Sequence, residues 1–500
     1  MNSSTRCPAS LAEHAAHLAT LAPKSLGVAL GTTLLALAGC GEGPPRPNIV
    51  LIVTDDQAAS TLAHMPFVER DLVRPGVTFE NFILNDPICC PSRVTILLGQ
   101  YRHNHQLEVG HPGGCAHRFL EDQDEEQTIG ALIQGAGYHT GIVGKYLNSY
   151  KNYLESRIGK DGNPLLTGWD DYHVLAGFTR YYDFFSDENG ELVRHDEKPF
   201  TYQTDYLSQR AQSFIRRAKR ADEPFFLYIA PEAPHAPTDP AVRHYRSFKQ
   251  TYAPRVASFN QADVSTQPSL KDVPRLDQRA ERLLHLRYRR HLETLQAVDE
   301  LVRDVVATLE ATGLLDQTFI FFTTDNGHHF GEHRIAEGKA TPFEESIRFP
   351  LIVRGPGVAP DRVLEQLASN VDIHPPLLDL SGLAADPRVD GASLLPLLRD
   401  SADAQDWRTA VVIESVAEGR NQGVPAFHGI RTGRYKLIRY RGGARELYDL
   451  AADPHETTNV LDSVAPTLTA ALDRRLDALI QCSGESCRAI SSAPAPGDVE

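Results

Sequence analysis

Asn48-Ile49-Val50-Leu51-Ile52-Val53-Thr54-Asp55-Asp56 sets the reading of the whole 500-residue chain. Its run of branched apolar residues does not alternate with polar ones, so it reads as a strand buried on both faces, as in parallel sheets. It stops on two carboxylates. The same pattern recurs downstream: Phe319-Ile320-Phe321-Phe322 runs into Asp325-Asn326, residues 225–229 (FFLYI) end near Pro234-His235, and Ile142-Val143 precedes Gly144-Lys145. Leu351-Ile352-Val353 adds a fifth strand. Before the second of these, apolar residues at 292, 295, 298, 302, 305 and 309 mark a helix over 291–309 that ends by Gly313. Strands alternating with helices predict an α/β fold with a mostly parallel sheet. Ligands gather beyond the carboxyl ends of such strands, where four polar clusters fall here.

The texture changes after about residue 390. Residues 411–413, 427–430, 435–440 and 446–450 read as short strands between glycine-containing turns, and residues 466–480 as an amphipathic closing helix. These boundaries predict a main domain over 47–390, a smaller antiparallel α+β subdomain over 391–488 and a disordered tail over 489–500. At the other end, residues 26–37 (LGVALGTTLLAL) form an apolar run of signal-peptide length, too short for a permanent membrane span. Leu37-Ala38-Gly39-Cys40 resembles a bacterial lipobox, which implies a signal peptide over 1–39, lipid on Cys40 and a tether over 40–46. An exported protein anchored to the bacterial cell envelope is then expected; an ordinary secretory signal that contains a Cys is the alternative. The net charge of −15 argues against a nucleic-acid-binding surface, and an anionic substrate would need a local basic pocket.

Seven cysteines stand at 7, 40, 89, 90, 115, 482 and 487. In an exported chain the close pair Cys482 and Cys487 predicts a structural disulfide. Cys89 and Cys90 are adjacent, a spacing that rarely pairs with itself, so they need another explanation. Whether Cys90 pairs with Cys115 stays open. Asp55-Asp56 or Asp325-Asn326 alone would read as a turn or a helix cap. Together they offer three carboxylates and an amide oxygen at two strand ends, a hard donor set suited to Ca²⁺ or Mg²⁺ rather than zinc.

Residues 87–99, PICCPSRVTILLG, resemble the signature of the sulfatase family in its C-x-P-S-R form, followed by an apolar helix ending in Gly. Residues 137–146, GYHTGIVGKY, resemble that family's second signature. Two departures stand out. Leu98 replaces the usual Thr or Ala before the Gly, and Leu147 stands where many arylsulfatases have a His. The Gly-Lys-Tyr-Leu-Asn form is similar to the N-acetylglucosamine-6-sulfatase branch. So are residues 230–237 (APEAPHAP), 252–260 (YAPRVASFN), 353–357 (VRGPG) and 481–487 (QCSGESC). The likeness runs from about residue 47 to 488.

The resemblance implies an alkaline-phosphatase-like α/β fold: a large mixed, mostly parallel sheet flanked by helices, with a smaller C-terminal antiparallel sheet domain closed by a helix. It implies that Cys89 is oxidised to formylglycine (3-oxoalanine) by a formylglycine-generating enzyme. One hydroxyl of the hydrated aldehyde attacks sulfur, the alcohol leaves, and the second hydroxyl lets the hydrate collapse and release sulfate. Asp55, Asp56, Asp325, Asn326 and the converted Cys89 would hold Ca²⁺, with Mg²⁺ as the alternative. Arg93 would brace the nucleophile and the metal ligands, Lys145 and Lys339 would meet the sulfate oxygens, and His235 would protonate the leaving oxygen. His329 is a further expected substrate contact, from a His-rich run (residues 327–334, GHHFGEHR) that reads equally as a solvated loop face. The expected activity is removal of the 6-O-sulfate of N-acetylglucosamine from glycosaminoglycan-type glycans. The rivals are a phosphonate or phosphodiester hydrolase on the same fold and a lipoprotein that only binds sulfated glycans. Oligomeric state and exo or endo action stay open.

Overall fold

Strand Asn48–Thr54 lies in the middle of a ten-stranded sheet with all seven of its residues buried, as its unbroken apolar run requires. In this computed structural model the described residues are 46–107, 114–122, 125–157, 166–177, 179–196, 201–400, 407–416 and 423–494. The expected signal peptide, Cys40 and all of the tether except Arg46 lie outside them.

The sheet runs Arg362–Leu364, Val77–Phe79, Leu351–Arg354, Thr318–Thr324, Asn48–Thr54, Phe225–Ala230, His139–Gly144, Asp171–Ala176, Phe185–Glu188, Glu191–Arg194. The five strands from Thr318–Thr324 to Asp171–Ala176 are mutually parallel, and antiparallel pairings appear only towards the edges. Register places Thr54 opposite Thr324, Ile52 opposite Ile229, and Gly144 opposite Ala230. The four polar segments that follow these strands therefore leave one edge of the sheet side by side. The sheet is mixed and mostly parallel, with helices packed on it, as expected.

The long helix Gln278–Ala311 begins thirteen residues before the predicted one, opened by the Asp277 side chain accepting from the Ala280 amide at 2.7 Å. Its buried stripe continues back through Leu292, Tyr288 and Leu284. Arginines at 279, 282, 287, 289 and 290 hide that stripe from a reading by composition.

Strands Ala410–Ser415, Phe427–Thr432, Tyr435–Tyr440 and Arg445–Asp449 form the expected antiparallel meander. Ala410 and Val412 face Leu472, Leu476 and Leu479 of the closing helix Pro466–Leu479. Val411 and Ile413 on the other face pack with Ile83, Ile335, Phe343 and Ile347 of the large domain, the alternation a strand imposes. Two boundaries differ from expectation. Leu394, Leu395, Leu397 and Leu398 still belong to the large core, so the change of core comes after residue 400 rather than at 391. The tail is not disordered at its start: helix Glu485–Ser492 buries Cys487 and Ser491, the former held in a disulfide with Cys482. Residues 495–500 lie outside the described residues.

Candidate active site

At the carboxyl edge of the sheet, backbone pairing brings two acidic segments together. The Asp325 amide donates to the Thr54 carbonyl at 3.1 Å, and the Asp56 amide to Asp325 Oδ1 at 3.2 Å. Asp55 bridges to Pro234, which draws the His235 loop against the same edge. Gly144 ends the next strand at φ 117°, and a Cβ there would lie 2.1 Å from the Ala230 carbonyl oxygen. Only glycine permits that approach, and with it the turn that carries Lys145 over the sheet edge.

Cys89 opens the fully buried helix Cys89–Leu98, which ends at Gly99 in the left-handed region with its amide on the Thr95 carbonyl. Leu98, the departure at the helix end, is packed in the large core. Cys89 Sγ sits 3.4 Å from Asp55 Oδ1, 3.9 Å from Asp56 Oδ1 and 2.6 Å from Lys339 Nζ. One turn on, Arg93 has no exposed surface. Its Nε donates to Asp325 Oδ2 at 2.9 Å, its Nη1 donates to the Lys145 carbonyl at 3.1 Å, and its Nη2 lies 3.5 Å from Asp55 Oδ2. Lys145 Nζ donates to Asp55 and Lys339 Nζ to Asp56. His235 Nδ1 donates to the Ala236 carbonyl at 2.7 Å, and its Nε2 faces Asp56 Oδ2 at 3.7 Å. The adjacent Cys90 is bonded to Cys115, which settles the pairing left open.

Burial alone would raise Asp55, but Lys145, His235 and Arg93 outweigh it and hold the carboxyl at about 2. Lys339, His235 and His328 likewise outweigh burial at Asp56 and hold it well below the usual range. At Asp325 burial and Asp55 prevail over Arg93 and the lysines, and its carboxyl is raised. Burial and Asp55 push the Cys89 thiol up to about 12, against the pull of Lys145 and Lys339. Lys145 and Lys339 stay protonated because Asp55 and Asp56 outweigh their desolvation.

Asn326 Nδ2 donates to Asp56 Oδ1 at 2.7 Å, while its Oδ1 is buried with no hydrogen-bond partner. An orphaned amide oxygen beside three carboxylates is what a hard divalent cation would satisfy. Asp55, Asp56, Cys89 and His235 also bring one donor atom each within 4.8 Å of one another. The residues present therefore fit a divalent metal.

A pocket of about 400 Å³ opens beside this cluster, reaching Lys145 and His235. Its other walls include Asn148, Lys151, Thr179 and Glu232. Sequence reading passed over Lys151, Thr179 and Glu232, although Glu232 stands three residues before His235 in the same post-strand segment. Its carboxylate is buried and held by Thr179 Oγ1 at 3.2 Å and Gln203 Nε2 at 2.9 Å.

His329 is not brought to this pocket. It has no exposed surface, and its Nε2 bonds Thr341 Oγ1 at 2.7 Å. The bridge from its backbone to Gly338 turns the side chain into the seam beside Phe343. The alternative, a solvated loop face, does not hold either, since His328, Glu332 and His333 are buried as well.

Two family models match the chain: Sulfatase over residues 47–383, and N-sulphoglucosamine sulphohydrolase, C-terminal, over 331–482. The human N-acetylglucosamine-6-sulfatase is 32% identical, covering 94% of this chain and 91% of the relative. An arylsulfatase of Volvox carteri is 30% identical over 92% of this chain and 78% of its own length. A solved structure of a protein in complex with its substrate D-glucosamine-2-N,6-O-disulfate superposes with a TM-score of 0.72 at 25% identity, covering 91% of this chain and 100% of that one. A phosphonate monoester hydrolase of Agrobacterium radiobacter shares the fold, with a TM-score of 0.66 at 23% identity. Since the first model spans both acidic segments, Cys89, both lysines and His235, and the human relative is matched nearly end to end, the chain belongs to the sulfatase family and is a sulfuric ester hydrolase.

Proposed function

We propose that this sulfatase removes the 6-O-sulfate of N-acetylglucosamine in glycosaminoglycan-type glycans, using formylglycine at residue 89 and a bound Ca²⁺. The observation that carries the reading is the near end-to-end likeness to N-acetylglucosamine-6-sulfatase, which runs through the segments that meet at the pocket. An unmodified Cys89 would serve poorly: a thiol pushed up to about 12 is neutral at pH 7, and the thiolate is the nucleophile. A hydrated aldehyde would supply a hydroxyl nucleophile and a second hydroxyl through which sulfate can be released. Asp55, Asp56, Asp325 and Asn326 Oδ1 would hold the Ca²⁺, which supplies charge to orient and polarise an oxygen ligand.

The other roles belong to the chain itself. Arg93 fixes Asp325 and the Lys145 backbone, so the nucleophile, the metal ligands and the sulfate-binding ammonium keep one geometry. Lys145 and Lys339 bring two cations to Cys89 and so to the non-bridging oxygens of a sulfate placed there. With Nδ1–H committed to the Ala236 carbonyl, His235 has Nε2 to protonate the leaving sugar oxygen at the pocket side. Export with lipid on Cys40 is part of the proposal, and Cys40→Ser should move the protein from the membrane to the soluble fraction.

The test is the mass of the peptide containing residue 89 from protein co-expressed with a formylglycine-generating enzyme. It is paired with sulfate release from N-acetylglucosamine-6-sulfate, with and without a Ca²⁺ chelator. Conversion with chelator-sensitive release is expected. Conversion without release refutes the substrate, and faster cleavage of a phosphate or phosphonate ester than of the matching sulfate would favour the superfamily rival.

A further inference from the structure

Next to the acidic cluster, on the side from which His328 acts on Asp56, the long helix and the segment after Asn326 bring together two buried histidines. His291 is 1% exposed and His328 is 7% exposed, with ring centroids 5.0 Å apart and planes inclined by 35°. All four of their ring nitrogens lack a hydrogen-bond partner. A neutral imidazole carries one N–H and one lone pair, so burying two of them unpartnered is unfavourable unless something absent from the protein chain satisfies them. Phe330 packs against both rings, which leaves an apolar wall rather than a polar partner.

The third member is Glu337. Its Oε2 takes a hydrogen bond from Arg287, while its Oε1 lies 3.9 Å from His328 Nε2. One donor atom from each of His291, His328 and Glu337 falls within 4.8 Å of the others. The Glu337 side chain is 21% exposed, so the cluster has a side open to solvent. Two imidazoles and one carboxylate are three of the ligands of a four-coordinate zinc site. It differs in kind from the hard-oxygen set at Asp55, Asp56, Asp325 and Asn326, and shares no residue with it.

We propose that His291, His328 and Glu337 form a second cation site, one that takes Zn²⁺ or a similar first-row transition ion in preference to Ca²⁺. The preference follows from the ligands, since imidazole nitrogen favours the later transition ions whereas Ca²⁺ seeks six or more oxygens. Arg287 holds Glu337 in place from the solvent side.

The probe is Co²⁺, titrated into the calcium-loaded mature protein and followed by visible absorption and by metal analysis after desalting. One equivalent of Co²⁺ with the strong visible bands of a low-coordinate nitrogen–oxygen site is expected, displaced by Zn²⁺ and unaffected by excess Ca²⁺. His291→Phe and Glu337→Gln should each weaken Co²⁺ binding by about tenfold or more, with the folded state checked by circular dichroism. Should His291→Phe fail to fold, Glu337→Gln, a change at the half-buried rim, decides alone. No bound equivalent in the parent protein, or unaltered binding in Glu337→Gln, would overturn the site. Neither readout requires turnover, so the result stands apart from the fate of the proposed sulfatase substrate.

Discussion

Arg93 is the residue on which the geometry of the cluster turns, because a single buried guanidinium spans Asp325, Asp55 and the Lys145 backbone. A lysine has the charge but not the fork. Arg93→Lys should lower kcat by about 10²-fold by releasing Asp325 and the Lys145 segment. Removal of the charge in Arg93→Ala should cost about 3–5 kcal/mol of stability, since Asp325 would be left buried without its paired cation. Urea unfolding beside steady-state kinetics separates the two effects. In the proposed mechanism His235 acts on the leaving group. His235→Gln should cost about 10²–10⁴ in kcat on a sugar sulfate, whose alkoxide needs a proton. On a nitrophenyl-type sulfate, whose leaving group departs unassisted, kcat should hardly change. Equal losses on both substrates would remove His235 from the role of acid.

At the scale of elements, the strand ends carry the site, and their precision depends on close backbone contact. Gly144→Ala would place a methyl group against the Ala230 carbonyl at a φ that side chains avoid, and should cost at least about 2 kcal/mol. Because Lys145 follows directly, the same change should lower activity more than its effect on Tm alone would explain. These strand ends were legible in the sequence because a strand buried on both faces writes itself as an unbroken apolar run, and two of the runs stopped on the polar pairs Asp55-Asp56 and Asp325-Asn326. The pocket walls were less legible. Lys151, Thr179 and Glu232 meet only through the register of strands that are distant in sequence, and Asp171–Ala176 carries Asp, Tyr and His among its apolar residues. His329 failed for a different reason. Nearness in sequence to Asp325 and Asn326 does not fix where a side chain points once the chain has turned.

Across the whole molecule, the small sheet joins the large domain through a buried ionic seam. Lys436 reaches Glu344 at 3.1 Å and Glu456 at 2.5 Å, and Arg431 reaches Glu344 at 3.3 Å. Lys436→Ala should destabilise by about 3–5 kcal/mol, read as loss of the cooperative transition at a lower urea midpoint, while Lys436→Met keeps the packing but not the charge. Acid should weaken the fold as well. Burial would raise Asp171, Glu300 and Glu345, but His173 with Asn189, His244 with Arg243, and His333 respectively hold each at about 2. Carboxyls lowered in the folded state contribute stability above their unfolded values near 4, and that contribution is lost as pH falls from about 4 through 2. Thermal melts at pH 5, 3 and 2 should show a progressive fall in Tm.

The two neighbouring sulfurs also impose a timetable. Cys89 is 3% exposed, covered by Lys339, and its neighbour Cys90 is locked to Cys115, so no second enzyme can grasp this stretch as an extended peptide once the domain has closed. If Cys89 is oxidised as proposed, the oxidation has to happen on the nascent or unfolded chain, before Cys90 finds Cys115. On that proposal, protein that folds first is committed to remaining a thiol: adding a formylglycine-generating enzyme to it later should convert nothing until the chain is unfolded and reduced.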